Sequence, residues 1–282
     1  MLFDERQVLW VAAACYLAGL VLGTVSLIRE KRHSRVTMFS IIAVGYLLQT
    51  LGLVMRGQEV RGCPLGNIFE IVQFASWSTT SLYLLIGATF RLSMLGYLSS
   101  SLAAALSLTS LSVPSWDAAR NSALSGGNAF VAMHAGLAMF AYGVFALLAL
   151  TSLLFLLRDH SLQSKRLGGW FTFLPSLVQL DLIGYRLQGV GVGLLSIAMG
   201  VGYMYWRLDE ATVDRAKLLA VGVLWIAYII SLALRVSGRL VGRRFAWVCL
   251  LLYVAALLTL WPIDRSRHPG TEPAASSTQA TP

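Results

Sequence analysis

The sequence is poor in charge: only 12% of its 282 residues are charged, whereas 57% are hydrophobic. An ordinary soluble domain carries about 25% charged residues, and the mean hydropathy here is +0.70. The shortage of charge excludes a typical soluble domain and indicates a protein embedded in a lipid bilayer.

Cysteine is also scarce, and the motifs of common enzymes are missing. Cys15, Cys63 and Cys249 form no CxxC pair and have no metal-ligand spacing, which argues against a structural disulfide or zinc site. The sequence contains no nucleophile elbow, no Walker loop and no paired-carboxylate site. We therefore expect a binding or assembly role rather than conventional catalysis.

The positive charge does not predict a nucleic-acid partner. The formal net charge is +9, but the basic residues lie in short clusters between apolar runs and do not form one continuous face. Such clusters are typical of the loops that set the topology of a membrane protein.

About eight apolar runs are long enough to cross a bilayer, because a spanning helix needs about 20 residues. The sequence therefore predicts an all-α fold, a polytopic membrane helix bundle with about eight transmembrane helices. The runs are residues 8–28, 36–55, 67–90, 92–113, 129–157, 187–206, 217–235 and 245–262.

Alternate loops carry the basic residues, and this pattern predicts the orientation. Arg29, Arg91, Arg158 and Arg235 follow the first, third, fifth and seventh runs. By the positive-inside rule these loops are cytoplasmic. The other loops and both termini would then lie outside, in a multi-pass protein of the inner, cytoplasmic membrane.

Two segments differ from a simple bundle. The long stretch 158–186 contains Trp170 to Pro175 followed by aliphatic residues, which predicts an interfacial segment lying on the bilayer. The tail at 269–282 is rich in Pro, Ala, Ser and Thr, and we expect it to be disordered. Residues 1–268 would form the membrane domain.

His134 lies inside the apolar stretch 131–142, where an ionisable side chain is costly and is a functional candidate. The predicted orientation places it about one and a half turns from the outer end of the fifth helix. His268 follows the last helix on the same side, and two imidazoles near one face could bind an iron porphyrin axially. The alternative for His134 is a packing hydrogen bond to a neighbouring Ser, Thr or backbone carbonyl, and for His268 a solvated position.

Three further charged residues stand close to apolar runs. Glu70 lies one turn into the third run, where it either caps the helix N-terminus or serves as a ligand or proton carrier. Asp181 and Arg186 precede the sixth run; they either pair at the cytoplasmic surface or begin that helix.

Three blocks of the sequence occur in an informative order. They are Cys63 to Ser78, which includes Pro-Leu-Gly-Asn-Ile-Phe-Glu; Met133 to Tyr142, with a Tyr eight residues after the His; and Leu180 to Val192, with Leu-Asp and Tyr-Arg. Together they resemble the cytochrome c assembly membrane proteins, a family that includes CcsA, CcmC and HemX-like proteins. The resemblance extends over residues 60–268.

The resemblance implies a haem-handling component of cytochrome c biogenesis. Two histidines on the outer face, matched here by His134 and His268, would hold the haem iron for delivery to apocytochrome c. Trp206 and its aromatic neighbours would contact the porphyrin. The implied partner is a membrane protein with an outer soluble domain.

Two features of the family are missing, and they favour an alternative. The place of the family's Trp-rich loop keeps only Trp206, and the histidine expected in the seventh run is replaced near Ala233. A HemX-like protein that modulates tetrapyrrole synthesis through a partner, without ligating haem, would need neither feature. A small-solute transporter is a third hypothesis, which the scarcity of midplane polar residues disfavours.

Overall fold

A computed structural model describes residues 4–29, 35–90, 93–117, 129–164, 176–206 and 215–265. Within these ranges it confirms the all-α prediction, with eight α-helices and one short 3-10 turn, Pro114–Trp116. The helices are α1 (Glu5–Ile28), α2 (Arg35–Glu59), α3 (Ile68–Phe90), α4 (Ser93–Ser112), α5 (Ala129–Gln163), α6 (Leu177–Trp206), α7 (Arg215–Val236) and α8 (Gly242–Arg265).

Six of these helices, α1, α2 and α5 to α8, are long and apolar enough to cross a membrane. The chain is therefore a multi-pass membrane protein, as the hydropathy pattern predicts. The other two, α3 and α4, pack against each other and against the spanning helices. The placement of the termini outside stays a prediction.

The bundle has two halves joined at α5. Helices α1 to α4 pack together as one half and α5 to α8 as the other, and α3 and α4 contact α5 across the boundary. A shared apolar core runs through both halves. The start of α5 lies towards the ends of α6 and α8, because His134 contacts Ala198 and Tyr142 contacts Thr259.

The α5–α6 pair packs closely where glycine leaves room. A Cβ on Gly191 would overlap the ring of Phe145, so this glycine permits the approach of the two helices. Among the described residues, and apart from the backbone of α6 itself, nothing lies within 4 Å of a Cβ built on Gly189 or Gly193. Of these three glycines, Gly191 is therefore the one that faces α5, since residues two apart face different sides of a helix.

Helix α6 begins ten residues earlier than predicted. It starts at Leu177, so the residues from 177 to 186 are helical and the predicted interfacial segment is wrong for them. Asp181 and Arg186 lie inside α6 rather than before it. At the start of the stretch 158–186, residues 158–163 belong to α5. Residues 165–175 lie outside the described residues, as does the tail at 269–282.

Candidate functional site

His134 lies in the second turn of α5, half-buried, with its ring directed at α6. Its Nδ1 is 2.7 Å from the backbone carbonyl oxygen of Ala198. A carbonyl oxygen only accepts hydrogen bonds, so Nδ1 carries the proton. In the neutral imidazole this leaves Nε2 unprotonated, with a lone pair that can coordinate a metal.

This contact is the packing hydrogen bond that the sequence offered as the alternative for His134. It engages one ring nitrogen and fixes the tautomer, and it leaves the coordinating ability of the other nitrogen intact. Histidines that ligate metals commonly donate their second N–H to a carbonyl or carboxylate. The structural and the ligand interpretations of His134 are therefore compatible.

Gly202 makes room for the imidazole. It lies one turn beyond Ala198 on α6, and a Cβ built on it would be 2.7 Å from both Cε1 and Nδ1 of His134. Any side chain at this position would displace the ring. The spacing of apolar residues along the sequence does not reveal this role of Gly202, because the role depends on which residue of α5 faces the glycine.

The other two residues of the predicted haem site are less defined. Trp206 is the last residue of α6, one turn beyond Gly202 and at the same end of the bundle as His134; its side chain lies outside the described part. His268 follows the end of α8 at Arg265 by three residues and also lies outside the described residues.

Glu70 is fully buried in the first turn of α3. Its Oε2 accepts a hydrogen bond from the Gly66 N–H at 2.6 Å, and its own N–H donates to Oδ1 of Asn67 at 2.8 Å. Asn67 therefore caps α3, and the Glu70 carboxylate reaches back to the backbone just before this N-terminus. Its Oε1 additionally accepts from Nε of Arg56 at 2.9 Å.

Arg56 is the centre of an ion cluster at the same end of the bundle as His134. Its guanidinium also pairs with Glu5 of α1 at 3.3 Å, with Glu59 at 3.7 Å and with Asp117 after the 3-10 turn. The side chain is only 11% exposed. The cluster joins α1, α2, α3 and the segment after α4, and hydropathy alone placed Arg56 in a loop.

Asp181 pairs with Arg235 of α7 near the opposite end of the bundle. The guanidinium also lies 5.0 Å from the ring centroid of Phe245 and 5.9 Å from that of Tyr185. The pair ties α6, α7 and α8 together and explains how a carboxylate is tolerated inside α6. Because the Asp181–Arg235 pair lies near the opposite end of the bundle from His134, we assign the pair a structural role.

Comparison with known proteins decides the family. The profile of the Cytochrome C assembly protein family matches residues 65–261. The chain belongs to this family. It is 26% identical to Protein HemX of Brevibacillus brevis over 219 residues, which are 75% of this chain and 80% of that protein. It is also 24% identical to Protein HemX of Bacillus subtilis over 232 residues, 81% and 83% of the two chains.

A third relative covers less of the chain. Inner membrane protein YpjD of Escherichia coli is 28% identical over 117 residues, 41% of this chain and 43% of the relative. Membership of the family and the HemX relatives support a membrane protein related to haem or cytochrome c biogenesis. The family match includes Glu70, His134, Asp181 and Trp206, and it ends before His268.

Proposed function

We propose that this protein binds haem through Nε2 of His134 and holds it near the outer membrane face for delivery to apocytochrome c. The observation that supports the proposal is the 2.7 Å contact between Nδ1 of His134 and the Ala198 carbonyl, because it holds the ring in the tautomer that a metal ligand needs. The haem would supply the iron that Nε2 binds.

The residues at this end of the bundle suit such a ligand. The Ala198 carbonyl accepts from Nδ1–H of His134, so the neutral ring keeps a free lone pair on Nε2. A neutral ring is the form that coordinates iron. The surrounding α5 surface is apolar, as a porphyrin face requires.

In this proposal His268 would be the second residue that holds the haem iron, and Trp206 would contact the porphyrin. The contacts of His134 with Ala198 and of Tyr142 with Thr259 show that the last turns of α6 and α8 lie towards the start of α5, and this supports the choice of Trp206 and His268. The partner would be a membrane protein with an outer soluble domain that receives apocytochrome c. The protein would lie in the inner, cytoplasmic membrane.

The direct test is haem content. We expect wild-type protein purified in detergent from haem-replete cells to show a Soret band, and His134→Ala to retain at least about 10-fold less haem, as loss of a metal ligand should cause. His160→Ala is the matched control, because His160 lies on the same helix, is exposed and is at the far end of α5. Haem content that is equal in the two variants would contradict ligation by His134.

A second candidate function is modulation of tetrapyrrole synthesis through a partner, without haem as a ligand. Two HemX proteins match three quarters or more of the chain, and this coverage favours the candidate. Deletion of the gene separates the two functions. Loss of c-type cytochromes supports haem delivery, whereas altered levels of haem precursors with normal cytochromes supports modulation.

A further inference from the structure

The approach of α5 to α6 at His134 depends on two backbone features of α6. The Ala198 carbonyl oxygen accepts a hydrogen bond from Nδ1–H of His134, with 2.7 Å between the nitrogen and the oxygen. Gly202, one turn later, leaves the space that the ring fills. We call Ala198 and Gly202 the histidine seat. Both lie on the face of α6 that packs against α5, since residues four apart share a face.

We propose that Gly202 is a positioning residue for the haem ligand: by lacking a side chain it allows His134 to donate to the Ala198 carbonyl, and this bond sets the orientation and the donor strength of Nε2. The inference rests on the proposed function. It adds a residue of α6, away from the iron, as a determinant of the haem's properties.

The physical reason is polarisation of the imidazole. A hydrogen bond from Nδ1–H to a carbonyl increases electron density on the ring and makes Nε2 a stronger donor. A stronger axial donor stabilises ferric over ferrous iron, so it lowers the midpoint potential of the haem. Outer partners of this kind typically change metal affinity by about 10- to 100-fold.

The rival explanation is that Gly202 merely permits close helix packing, and a second glycine on α6 provides the comparison. A Cβ on Gly191 would lie 2.4 Å from the apolar ring of Phe145, compared with 2.7 Å from Gly202 to His134. A Cβ on Gly200 would meet nothing within 4 Å among the described residues, apart from the backbone of α6 itself. Gly191→Ala therefore tests packing alone, and Gly200→Ala tests substitution of a helical glycine alone.

The experiment compares Gly202→Ala with these two variants in full-length detergent-purified protein. We expect Gly202→Ala to lower haem affinity by about 10-fold or more, and to shift the midpoint potential of the remaining haem to more positive values. Gly191→Ala should lower the melting temperature without moving the potential or the Soret maximum. Gly200→Ala should resemble wild type in all three measurements.

Introducing Gly202→Ala together with His134→Ala completes the test. Removal of the imidazole frees the space for the new Cβ, so the melting temperature lost in Gly202→Ala should be regained in the double variant. Haem affinity should fall no further than in His134→Ala. Additive losses in both quantities would overturn the proposal, because Gly202 would then act independently of the ring.

The outcomes also separate this proposal from the proposed function. If His134→Ala binds haem as wild type does, ligation by His134 fails, and so does the positioning role. If His134→Ala loses haem but Gly202→Ala keeps the potential and affinity of wild type, ligation stands and the positioning role is overturned. A potential shift that Gly191→Ala reproduces would also overturn it, in favour of general α5–α6 packing.

Discussion

Helices α1 to α4 bury a connected polar network, whereas α5 to α8 pack mainly through aliphatic and aromatic side chains with isolated polar pairs. In the first half, Gln49 accepts from Tyr16 at 2.8 Å and donates to Gln73 at 2.8 Å and to Ser107 at 3.2 Å. Gln73 in turn donates to Ser110 at 2.9 Å. The network links all four helices.

The second half joins its helices by single contacts. Gln188 donates to Ser231 at 2.9 Å, and Tyr142 and Thr259 share a hydrogen bond of 3.0 Å. Four buried side-chain polar atoms have no hydrogen-bond partner in the part of the chain that is described. Three of them belong to α6 and α7: Asp181 Oδ1, Gln188 Oε1 and Tyr228 OH.

The difference teaches which interactions hold each half together. Lipid is as apolar as a leucine side chain, so helices in a bilayer associate through close packing and interhelical hydrogen bonds. The first half has directional bonds that fix its geometry. The second half, which carries His134, is held together mainly by close packing of complementary side chains. An example is the stack of Phe145 on Tyr228, whose ring centroids are 3.8 Å apart.

Arg56→Met should show the largest contrast between the halves. It leaves the fully buried Glu70 without its guanidinium partner, and we expect a loss of about 3–5 kcal/mol in the free energy of unfolding. Arg235→Met is the matched variant, and its loss should be smaller because Asp181 is 25% exposed. Denaturant titration in detergent, followed by tryptophan fluorescence, measures both; equal losses would contradict the comparison.

Gln73→Leu should have an intermediate effect. It removes the acceptor for Gln49 and the donor to Ser110, and we expect a loss of about 1–2 kcal/mol, near the upper limit for interhelical hydrogen bonds in membranes. Gln188→Leu removes one hydrogen bond and one unpartnered oxygen, so it should destabilise less. The same unfolding titration compares them, and the reverse order would show that the first-half network is not the stronger one.

Two tyrosine variants give the smallest and most closely matched test. Tyr16→Phe removes a buried hydroxyl that donates to Gln49, and it should cost about 0.6 kcal/mol. Tyr228→Phe keeps the stack on Phe145 and removes a hydroxyl without a partner among the described residues. It should be neutral or stabilising, because an unsatisfied buried polar group is destabilising. A lower melting temperature for Tyr228→Phe than for Tyr16→Phe would contradict the stated difference between the two halves.

The all-α, multi-pass character of the chain could be predicted from the sequence because length and apolarity are local properties. The start of α6 could not, since Asp181 interrupts the apolar pattern and its partner Arg235 is 54 residues away. The sequence revealed His134 because an ionisable residue inside an apolar run is a local feature. It did not reveal Arg56 as the centre of an ion cluster. The partners of Arg56 come from separate segments that only the fold brings together.

The histidine seat is a second example of a contact between separate segments that the sequence does not reveal. The sequence indicated that His134 was unusual and offered a packing bond to a backbone carbonyl as one explanation. Which carbonyl accepts the bond, and why Gly202 must lack a side chain, depends on the register between α5 and α6. Register is a property of two helices together, so no pattern within either one contains it. The roles of His268 and Trp206 stay predictions.

The length of α5 has a mechanical consequence. Its 35 residues span about 52 Å at 1.5 Å per residue, whereas the hydrocarbon core of a bilayer is about 30 Å thick. A helix this long either leans strongly or extends beyond the lipid by several turns. Because α5 contacts α3, α6 and α8 and carries His134 in its second turn, the tilt of this one helix sets the depth of the imidazole relative to the bilayer surface.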